Sequence, residues 1–310
     1  EELMRGDDAA ALPGPKEGER LAFSTDSFVV TPHFFPGGNI GKLAICGTVN
    51  DVATSGAVPK YLSCGFVLEE GYPIEDLKKI CQTMAETAKE AGVHLVTGDT
   101  KVVNRGHGDG VFINTSGVGF IPEGVDLSGA HCKPGDKILV TGTLGDHGIT
   151  IMSCRESLSF AAPVESDAAP LNHLIAEVLA AAPDTRCFRD PTRGGLASTL
   201  NELAEQSQVD MFVKEADVPV KDAVLGACDM LGYDVMQVAN EGKMVCVVPA
   251  DQAEAALAAM HANKYGVDAA IVGEVVEMVP ERGPKVYLET PLGSKRILDM
   301  LVGEQLPRIC

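Results

Sequence analysis

Cys310, the last residue of the sequence, is a potential nucleophile. Chain ends are the least constrained part of most domains, so a thiol here could move between reaction partners. A thiolate can also hold an acyl or one-carbon group as a covalent intermediate. Pro307 is expected to stiffen the approach to this thiol. The alternative is an exposed cysteine without a function, and Cys310 taken alone does not decide between the two.

Carboxylates that could bind a metal ion are concentrated in the first half of the sequence, in the motifs that contain Asp7 and Asp8, Asp26, Asp51 and Asp99. We expect each motif at a loop or a strand end. Several carboxylates that converge on one site would suit Mg²⁺, which binds oxygen ligands and in turn holds nucleotide phosphates. Asp26 interrupts a predicted strand, where either a metal ion or hydrogen bonds within the core would compensate its burial. The spacing of the motifs does not show that they converge.

Two loops in the second half could bind anions. The glycine-containing loop 141–148, which includes His147, leads into a predicted helix, and backbone amides at a helix start can bind an anion. The same pattern is also that of a plain tight turn. Arg193 precedes another predicted helix, where it could pair with a phosphate or a carboxylate or simply lie on the surface. We expect Asp190 or Thr192 to cap that helix.

Composition narrows the function classes. With 45% hydrophobic and 22% charged residues, the chain is typical of globular proteins. Its net charge of -19 repels phosphate backbones, so we expect no nucleic-acid binding, and a bound nucleotide would need a metal ion to offset the carboxylates. The nine cysteines are scattered singly, without a Cys-x-x-Cys pair, which is typical of buried thiols in a cytoplasmic protein. No apolar run reaches the ~18 residues of a membrane helix.

Strand and helix patterns alternate along the sequence, which predicts an α/β or α+β fold. The clearest element is a helix from Pro73 to Gly92, whose apolar residues recur at helical spacing and are expected to face a core. The chain has 310 residues, and single cores stop growing near ~250–300 residues, so two domains are expected.

The strand and helix pattern breaks between Pro122 and Pro134, which we take as the connector between the domains. We therefore assign an N-terminal domain to 1–122, a C-terminal domain to 135–290, and a flexible tail carrying the last cysteine to 291–310.

A series of short motifs follows in the order of a known family. They are Asp7-Asp8-Ala9-Ala10, Phe23-Ser24-Thr25-Asp26-Ser27, Phe35-Pro36-Gly37-Gly38, Gly41-Lys42-Leu43, Asn50-Asp51-Val52-Ala53, Thr97-Gly98-Asp99-Thr100-Lys101, Gly145-Asp146-His147-Gly148, Asp190-Pro191-Thr192-Arg193-Gly194-Gly195, Ala239-Asn240-Glu241-Gly242-Lys243 and Pro307-Arg308-Ile309-Cys310. Together they resemble the HypE family of hydrogenase maturation factors, within the ATP-binding superfamily of aminoimidazole ribotide synthetase. The acidic motifs alone would also fit selenophosphate synthetase and thiamine-phosphate kinase, whereas the Pro-Arg-Ile-Cys end singles out HypE.

The resemblance implies a two-domain PurM-like fold whose N-terminal sheet pairs with a second copy to form a homodimer. It also implies ATP- and Mg²⁺-dependent dehydration of a carbamoyl group on Cys310 to a thiocyanate. In the family the carbamoyl group comes from HypF. The cyanide is passed to iron held by HypC and HypD for nickel–iron hydrogenase assembly.

The resemblance also implies roles for individual residues. The implied ligands of Mg²⁺ and of the nucleotide phosphates are Asp8, Asp26, Asp51 and Asp99. Further nucleotide-binding residues are Asn50, Thr100, Asp190 and Asn240. Besides Cys310, the candidates for catalysis are Glu241 and Lys101 for proton removal, with Arg193 or His147 to steady the phosphate.

Two other functions stay open at this stage. A superfamily ATPase that phosphorylates a diffusible substrate would not need Cys310. A non-catalytic carrier would consume no ATP. The family usually has a glycine-rich His-Gly-Ser-Gly-Gly-type segment ahead of the first acidic motif, and the sequence starts after it, which implies a weakened or empty nucleotide site.

Overall fold

The computed structural model describes residues 9–156, 164–300, 303 and 308–310. The predictions for Asp8 and Pro307 lie outside these residues. The strands are β1 (Arg20–Phe28), β2 (Phe34–Phe35), β3 (Gly38–Asn39), β4 (Val58–Glu69), β5 (His94–Val103), β6 (Val111–Ile121), β7 (Lys137–Val140), β8 (Cys187–Arg189), β9 (Asp210–Lys214), β10 (Val245–Val248), β11 (Ala270–Val276), β12 (Val286–Glu289) and β13 (Lys295–Ile297). The α-helices are α1 (Ile40–Thr54), α2 (Ile74–Ala91), α3 (Asp146–Arg155), α4 (Asn172–Ala181), α5 (Gly195–Ser207), α6 (Asp222–Leu231) and α7 (Ala253–Ala262).

The N-terminal half is a four-stranded sheet in the order β1-β6-β4-β5, with α1 and α2 packed on one face. Helix α1 begins where the Asn39 side chain accepts hydrogen bonds from the backbone N–H groups of Gly41 and Lys42. Most of its residues are buried, because it lies between this sheet and the C-terminal half. The other face of the sheet exposes large apolar side chains, among them Leu21, Phe23 and Val67.

Helix α2 confirms the clearest sequence prediction. It ends at Gly92, whose φ of 71° is the left-handed conformation that glycine adopts without strain. Ile80 and Met84 are buried as expected for apolar residues at helical spacing, whereas Cys81 of the same helix is exposed.

The C-terminal half is a seven-stranded sheet in the order β13-β12-β9-β11-β7-β10-β8, covered by helices on both faces. Successive residues of its central strands point to opposite faces. In β7, for example, Ile138 and Val140 pack in one core and Leu139 packs in the other. The mixed α and β architecture was expected from the sequence, whereas the short strands β2, β3, β8, β9 and β13 were not.

One positional expectation was wrong. Asp99 was expected at a strand end, but β5 continues to Val103 and places it in the middle of the strand. Asp51 lies inside α1, in agreement with the helical pattern of residues 44–53. No helix among the described residues is long and apolar enough to cross a membrane.

Candidate active site

The last residues described, 308–310, are docked against the body of the protein. The carbonyl oxygen of Cys310 accepts a hydrogen bond of 3.0 Å from the backbone N–H of Val29. Ile309 is 1% exposed and packs in the N-terminal core, beside which Cys310 is partly buried. The thiol therefore lies within the protein instead of extending into solvent.

His147 anchors this docked segment. Its Nε2 is 2.7 Å from the carbonyl oxygen of Ile309, and its Nδ1 is 2.8 Å from Ser166 Oγ. Burial lowers the pKa of His147, which favours the neutral ring. A carbonyl can only accept, so the proton resides on Nε2 and Ser166 donates to Nδ1. Both ring nitrogens thus have protein partners, and His147 is not free to hold a phosphate in this arrangement.

Arg155 and Arg308 add a second set of contacts to the docked segment. Arg155 donates from Nε to the carbonyl oxygen of Thr31 at 2.6 Å and from Nη2 to that of Arg308. The guanidinium of Arg308 pairs with Asp109 in the loop between β5 and β6. The segment is therefore held by groups from both halves of the chain.

Asp26 and Asp51 face each other across the contact between β1 and α1. Asp51 Oδ2 accepts a hydrogen bond of 2.9 Å from Ser24 Oγ, and Gly47 allows the close packing, since a Cβ there would lie 2.9 Å from the Phe28 ring. Burial, then the charge of Asp190 and then that of Asp26 raise the pKa of Asp51, which reaches about 7. Burial also raises the pKa of Asp26.

Asp190 and Arg193 reach the same place from the loop after β8. The positive charge of Arg193 lowers the pKa of Asp26, whereas the negative charge of Asp190 raises it. Asp190 or Thr192 was predicted to cap α5, but neither of them does. The helix starts instead from Gly194, which has a φ of 78° and provides no side-chain hydrogen bond.

Glu241 is the most deeply buried carboxylate of the group, at 5% exposure. Its Oε1 has no hydrogen-bond partner among the described residues. Burial and then the charges of Asp167, Asp190, Asp26 and Asp51 raise its pKa well above the usual range. A protonated or metal-shielded site would relieve this concentration of negative charge.

The Cys310 thiol belongs to the same electrostatic cluster. Its pKa is raised first by burial and then by the charges of Glu241 and Asp26, while Arg193 lowers it. We call Asp26, Asp51, Asp190, Arg193, Glu241 and Cys310 the inter-domain site, because both halves of the chain contribute to it.

Two asparagines that were candidates for nucleotide binding act as clamps between backbone segments. Asn50 donates to the carbonyl oxygen of Ala169 and accepts from the backbone N–H of Leu171. Asn240 accepts from the N–H of Gly145 and donates to the carbonyl oxygens of two residues, Pro191 and Val238. In both residues the side-chain oxygen and the side-chain nitrogen each bond to the backbone, so these side chains hold the segments that shape the site.

Asp99, Thr100 and Lys101 are not brought to the inter-domain site of their own chain. Asp26 is in register with Gly98 through Thr115 and Cys64, which puts Asp99 on the opposite face of the sheet. β5 is also three strand spacings from β1, or roughly 14 Å. Lys101 Nζ instead pairs with Asp99 Oδ2 at 2.5 Å on the exposed surface.

The carboxylates fit a metal ion only in part. Asp26 and Asp51 offer hard oxygen donors whose mutual repulsion a divalent cation would offset. Within the described ranges, however, no three metal-binding side chains are grouped closely enough to hold an ion. Such a site suits Mg²⁺ that is completed by other oxygen ligands, for example phosphates.

Sequence reasoning missed Ser166, Asp167 and Arg155. Ser166 orients His147, Asp167 Oδ1 accepts from the backbone N–H of Glu241 at 3.0 Å, and Arg155 holds the docked segment. Residues 155–170 show no periodicity and no motif. Their role follows only from the three-dimensional packing.

Comparison with known proteins identifies the family of this chain. Residues 6–121 match the family model "AIR synthase related protein, N-terminal domain", and residues 133–282 match its C-terminal domain. The chain is 55% identical over 291 residues to carbamoyl dehydratase HypE of Azotobacter vinelandii, covering 94% of this chain and 84% of that protein.

Solved structures give the same result. A crystal structure of the hydrogenase maturation protein HypE in complex with ATP matches with a TM-score of 0.94 and 49% identity, over 99% of this chain and 91% of that one. A HypE–HypF complex structure matches with a TM-score of 0.88 and 49% identity, over 97% and 96%.

Proposed function

Because the chain belongs to the AIR synthase related proteins, and within them to the carbamoyl dehydratases HypE of hydrogenase maturation, we propose that it dehydrates an S-carbamoyl group on its own Cys310 to a thiocyanate with consumption of ATP. The observation that supports this most directly is the placement of Cys310 in one buried cluster with Glu241 and Arg193. A diffusible substrate would not require a docked cysteine at this position. A passive carrier would not require beside it a buried carboxylate with one oxygen that is unpaired among the described residues.

The atoms of the reaction balance as follows. The carbamoyl oxygen attacks the γ-phosphoryl group of ATP, ADP leaves, and the nitrogen loses one proton to a base. The C–O bond then breaks, phosphate departs with that oxygen, and the nitrogen loses its second proton. The products are a thiocyanate on sulfur, ADP and phosphate. ATP is needed because an amide oxygen is a poor leaving group until it is phosphorylated.

Glu241 is our candidate for the base. Burial favours its protonated form and therefore makes its carboxylate a strong proton acceptor, and in the described part of the chain no group forms a hydrogen bond with its Oε1. Arg193 is the candidate for steadying negative charge on the oxygen that leaves with phosphate. We assign His147 to holding the tail, which replaces its earlier role of steadying the phosphate.

ATP and Mg²⁺ would occupy the acidic side of the inter-domain site. Asp26 and Asp51, together with Asp8, would hold Mg²⁺, and Asp190 lies beside them. When bound, Mg²⁺ offsets the charge of the nucleotide phosphates. A HypE structure in complex with ATP supports nucleotide binding by this chain.

We further propose a homodimer formed through the open face of the N-terminal sheet. That face carries exposed Leu21, Phe23 and Val67, and surface apolar patches of this kind mark interaction sites. It also carries Asp99 and Lys101. In such a dimer, these two residues would act on the site of the partner subunit and not on that of their own.

For the partners, we propose HypF as the carbamoyl donor and the HypC–HypD complex as the cyanide acceptor. A solved HypE–HypF complex resembles this chain closely enough to support the first assignment. The second rests on family resemblance, as does a cytoplasmic location.

Intact-mass analysis of the carbamoylated protein with Mg-ATP tests the dehydration. We expect the loss of one water, localised to Cys310 by peptide mapping, with formation of ADP. A mass that stays unchanged while ATP is present and bound contradicts the proposal and favours a carrier. Full ATP turnover by a Cys310→Ala variant would favour an ATPase acting on a diffusible substrate.

A further inference from the structure

Dehydration at a buried base leaves a proton that must be exported. Written with ATP and an S-carbamoyl group as reactants and ADP, hydrogenphosphate and thiocyanate as products, the reaction releases one proton. Glu241, the proposed base, is only 5% exposed and cannot release that proton directly to bulk water. The structure must therefore provide a neighbour that receives it.

Asp167 contacts the backbone of Glu241. Its Oδ1 accepts the backbone N–H of Glu241 at 3.0 Å, and it contributes the largest charge effect on that carboxyl group. The two backbones also touch, since a Cβ at Gly242 would lie 1.8 Å from the carbonyl oxygen of Asp167. Only glycine fits at this contact. Asp167 is thus fixed relative to Glu241 by the main chain as well as by its side chain.

The second oxygen of Asp167, Oδ2, has no hydrogen-bond partner within the described part of the chain. It is nevertheless cut off from solvent, because only 2% of the side chain is exposed. A buried ionised carboxylate without a partner is costly. Lys243 Nζ lies 3.8 Å from this oxygen, too far for a hydrogen bond but close enough for strong charge attraction. Lys243 itself is largely buried, with 12% of its side chain exposed.

Both residues line a cavity of about 280 Å³ that opens to solvent. Ser166, Lys264 and Tyr265 are also part of its wall, whereas Cys310, Glu241 and Arg193 are not. A cavity of this size and polarity holds several water molecules. Water can therefore reach the Asp167–Lys243 pair without entering the side of the site that holds the carbamoyl group.

We propose that Asp167 and Lys243 are a positioning and proton-exit pair for Glu241, which this family resemblance does not assign. The proton passes from the Glu241 carboxyl group to the Asp167 carboxylate and then to cavity water. Lys243 remains protonated throughout and stabilises the Asp167 anion. This inference rests on the proposed dehydration with Glu241 as its base.

Single-turnover dehydration of the carbamoylated full chain at saturating Mg-ATP, followed by intact mass as a function of pH, tests the pair. The charges that face Glu241 are Asp167, Asp190, Asp26 and Asp51. Asp167→Asn removes one negative charge, so we expect a rate about tenfold lower and an acid limb moved to lower pH. Lys243→Met removes a cation, so its acid limb should move to higher pH.

The controls separate this role from a purely structural one. Lys243→Arg keeps the positive charge, so this variant should retain the wild-type rate and the wild-type acid limb. Lys264→Met changes a different lysine of the same cavity, one that pairs with Glu90. This variant should leave the rate and the acid limb unchanged. Mg-ATP affinity should be the same in all variants. If Asp167→Asn does not fold, as judged by thermal melting, the shift in Lys243→Met decides.

Acid limbs that move in opposite directions for the two variants support the proposal. Wild-type rates in both variants, or slower rates without any shift of the acid limb, overturn it. A wild-type protein that loses no water would instead contradict the proposed function itself, so the two failures are distinguishable.

Discussion

His147 donates a hydrogen bond of 2.7 Å from Nε2 to the carbonyl oxygen of Ile309, the residue that precedes Cys310. This bond joins the start of α3 to the residue beside the thiol, and it is completely buried. In the proposed reaction, loading Cys310 with a carbamoyl group requires the thiol to be accessible, whereas dehydration requires it to be enclosed. The His147–Ile309 contact therefore stabilises the enclosed state.

Replacing His147 by Ala should make Cys310 more reactive. Loss of one buried hydrogen bond of about 1 kcal/mol shifts a docking equilibrium roughly fivefold. We expect iodoacetamide to alkylate Cys310 about fivefold faster in the variant. Exposed Cys81, quantified by peptide mass spectrometry in the same digest, provides the internal reference.

The same variant should dehydrate its carbamoyl group more slowly, because the enclosed state is less populated, while it binds Mg-ATP with unchanged affinity. An alkylation rate of Cys310 equal to that of the wild-type protein would show that this bond does not control docking.

The raised pKa of Asp51 predicts that the stability of the folded protein depends on pH. Its pKa in the folded protein is raised to about 7, above the ordinary value of 3.8, so the folded state holds a proton that the unfolded state has lost. Stability should therefore fall as pH rises from about 4 to about 7. Relative to the wild type, Asp51→Asn should gain melting temperature across this interval in metal-free buffer, and the difference should vanish near pH 4.

Magnesium separates this effect from a general change in packing. If Asp51 helps to hold Mg²⁺, the ion should raise the melting temperature of the wild type at pH 8 and much less that of Asp51→Asn. Equal stabilisation of both proteins by Mg²⁺ would exclude Asp51 as a ligand.

The sequence predicted these acidic groups through their motifs but could not place all of them. Asp26, Asp51 and Glu241 come together because their strand, helix and loop meet at one interface. Asp99 does not join them, because the register of β5 places its side chain on the opposite face of the sheet. A shift of this register by one residue would reverse the face, and the local sequence pattern does not determine the register. The roles of Asp167 and of the two asparagine clamps depend on which loops meet in three dimensions, and no local pattern records that.

Phe23 tests the proposed dimer. It is 67% exposed on the open face of the N-terminal sheet, and a charge introduced there would have to be buried on association. We expect Phe23→Glu to be monomeric in size-exclusion chromatography with light scattering, and the wild type to be dimeric. Leu292→Glu, at a residue that is 93% exposed in the C-terminal half, should remain dimeric. A dimeric Phe23→Glu protein would show that another surface mediates association.

Lys101 and Glu241 provide the strictest test of a shared site. Lys101 lies on the face proposed to meet the partner, and Glu241 lies in the inter-domain site of its own chain. If both are needed, Glu241→Gln should slow dehydration by about 10²–10⁴-fold without weakening ATP binding, and Lys101→Ala should also be impaired.

Mixing the two carbamoylated variants under conditions that exchange subunits should restore activity. In a mixed dimer, the Lys101→Ala chain retains Glu241 and receives Lys101 from its partner. One of the two sites of the dimer is therefore complete. Random exchange therefore restores about a quarter of the sites, all of them on the Lys101→Ala chain. Intact mass distinguishes the two chains, so water loss confined to the Lys101→Ala chain would establish action across the interface. Equal inactivity of the mixture, with subunit exchange verified, would place Lys101 outside the reaction or in its own subunit's site.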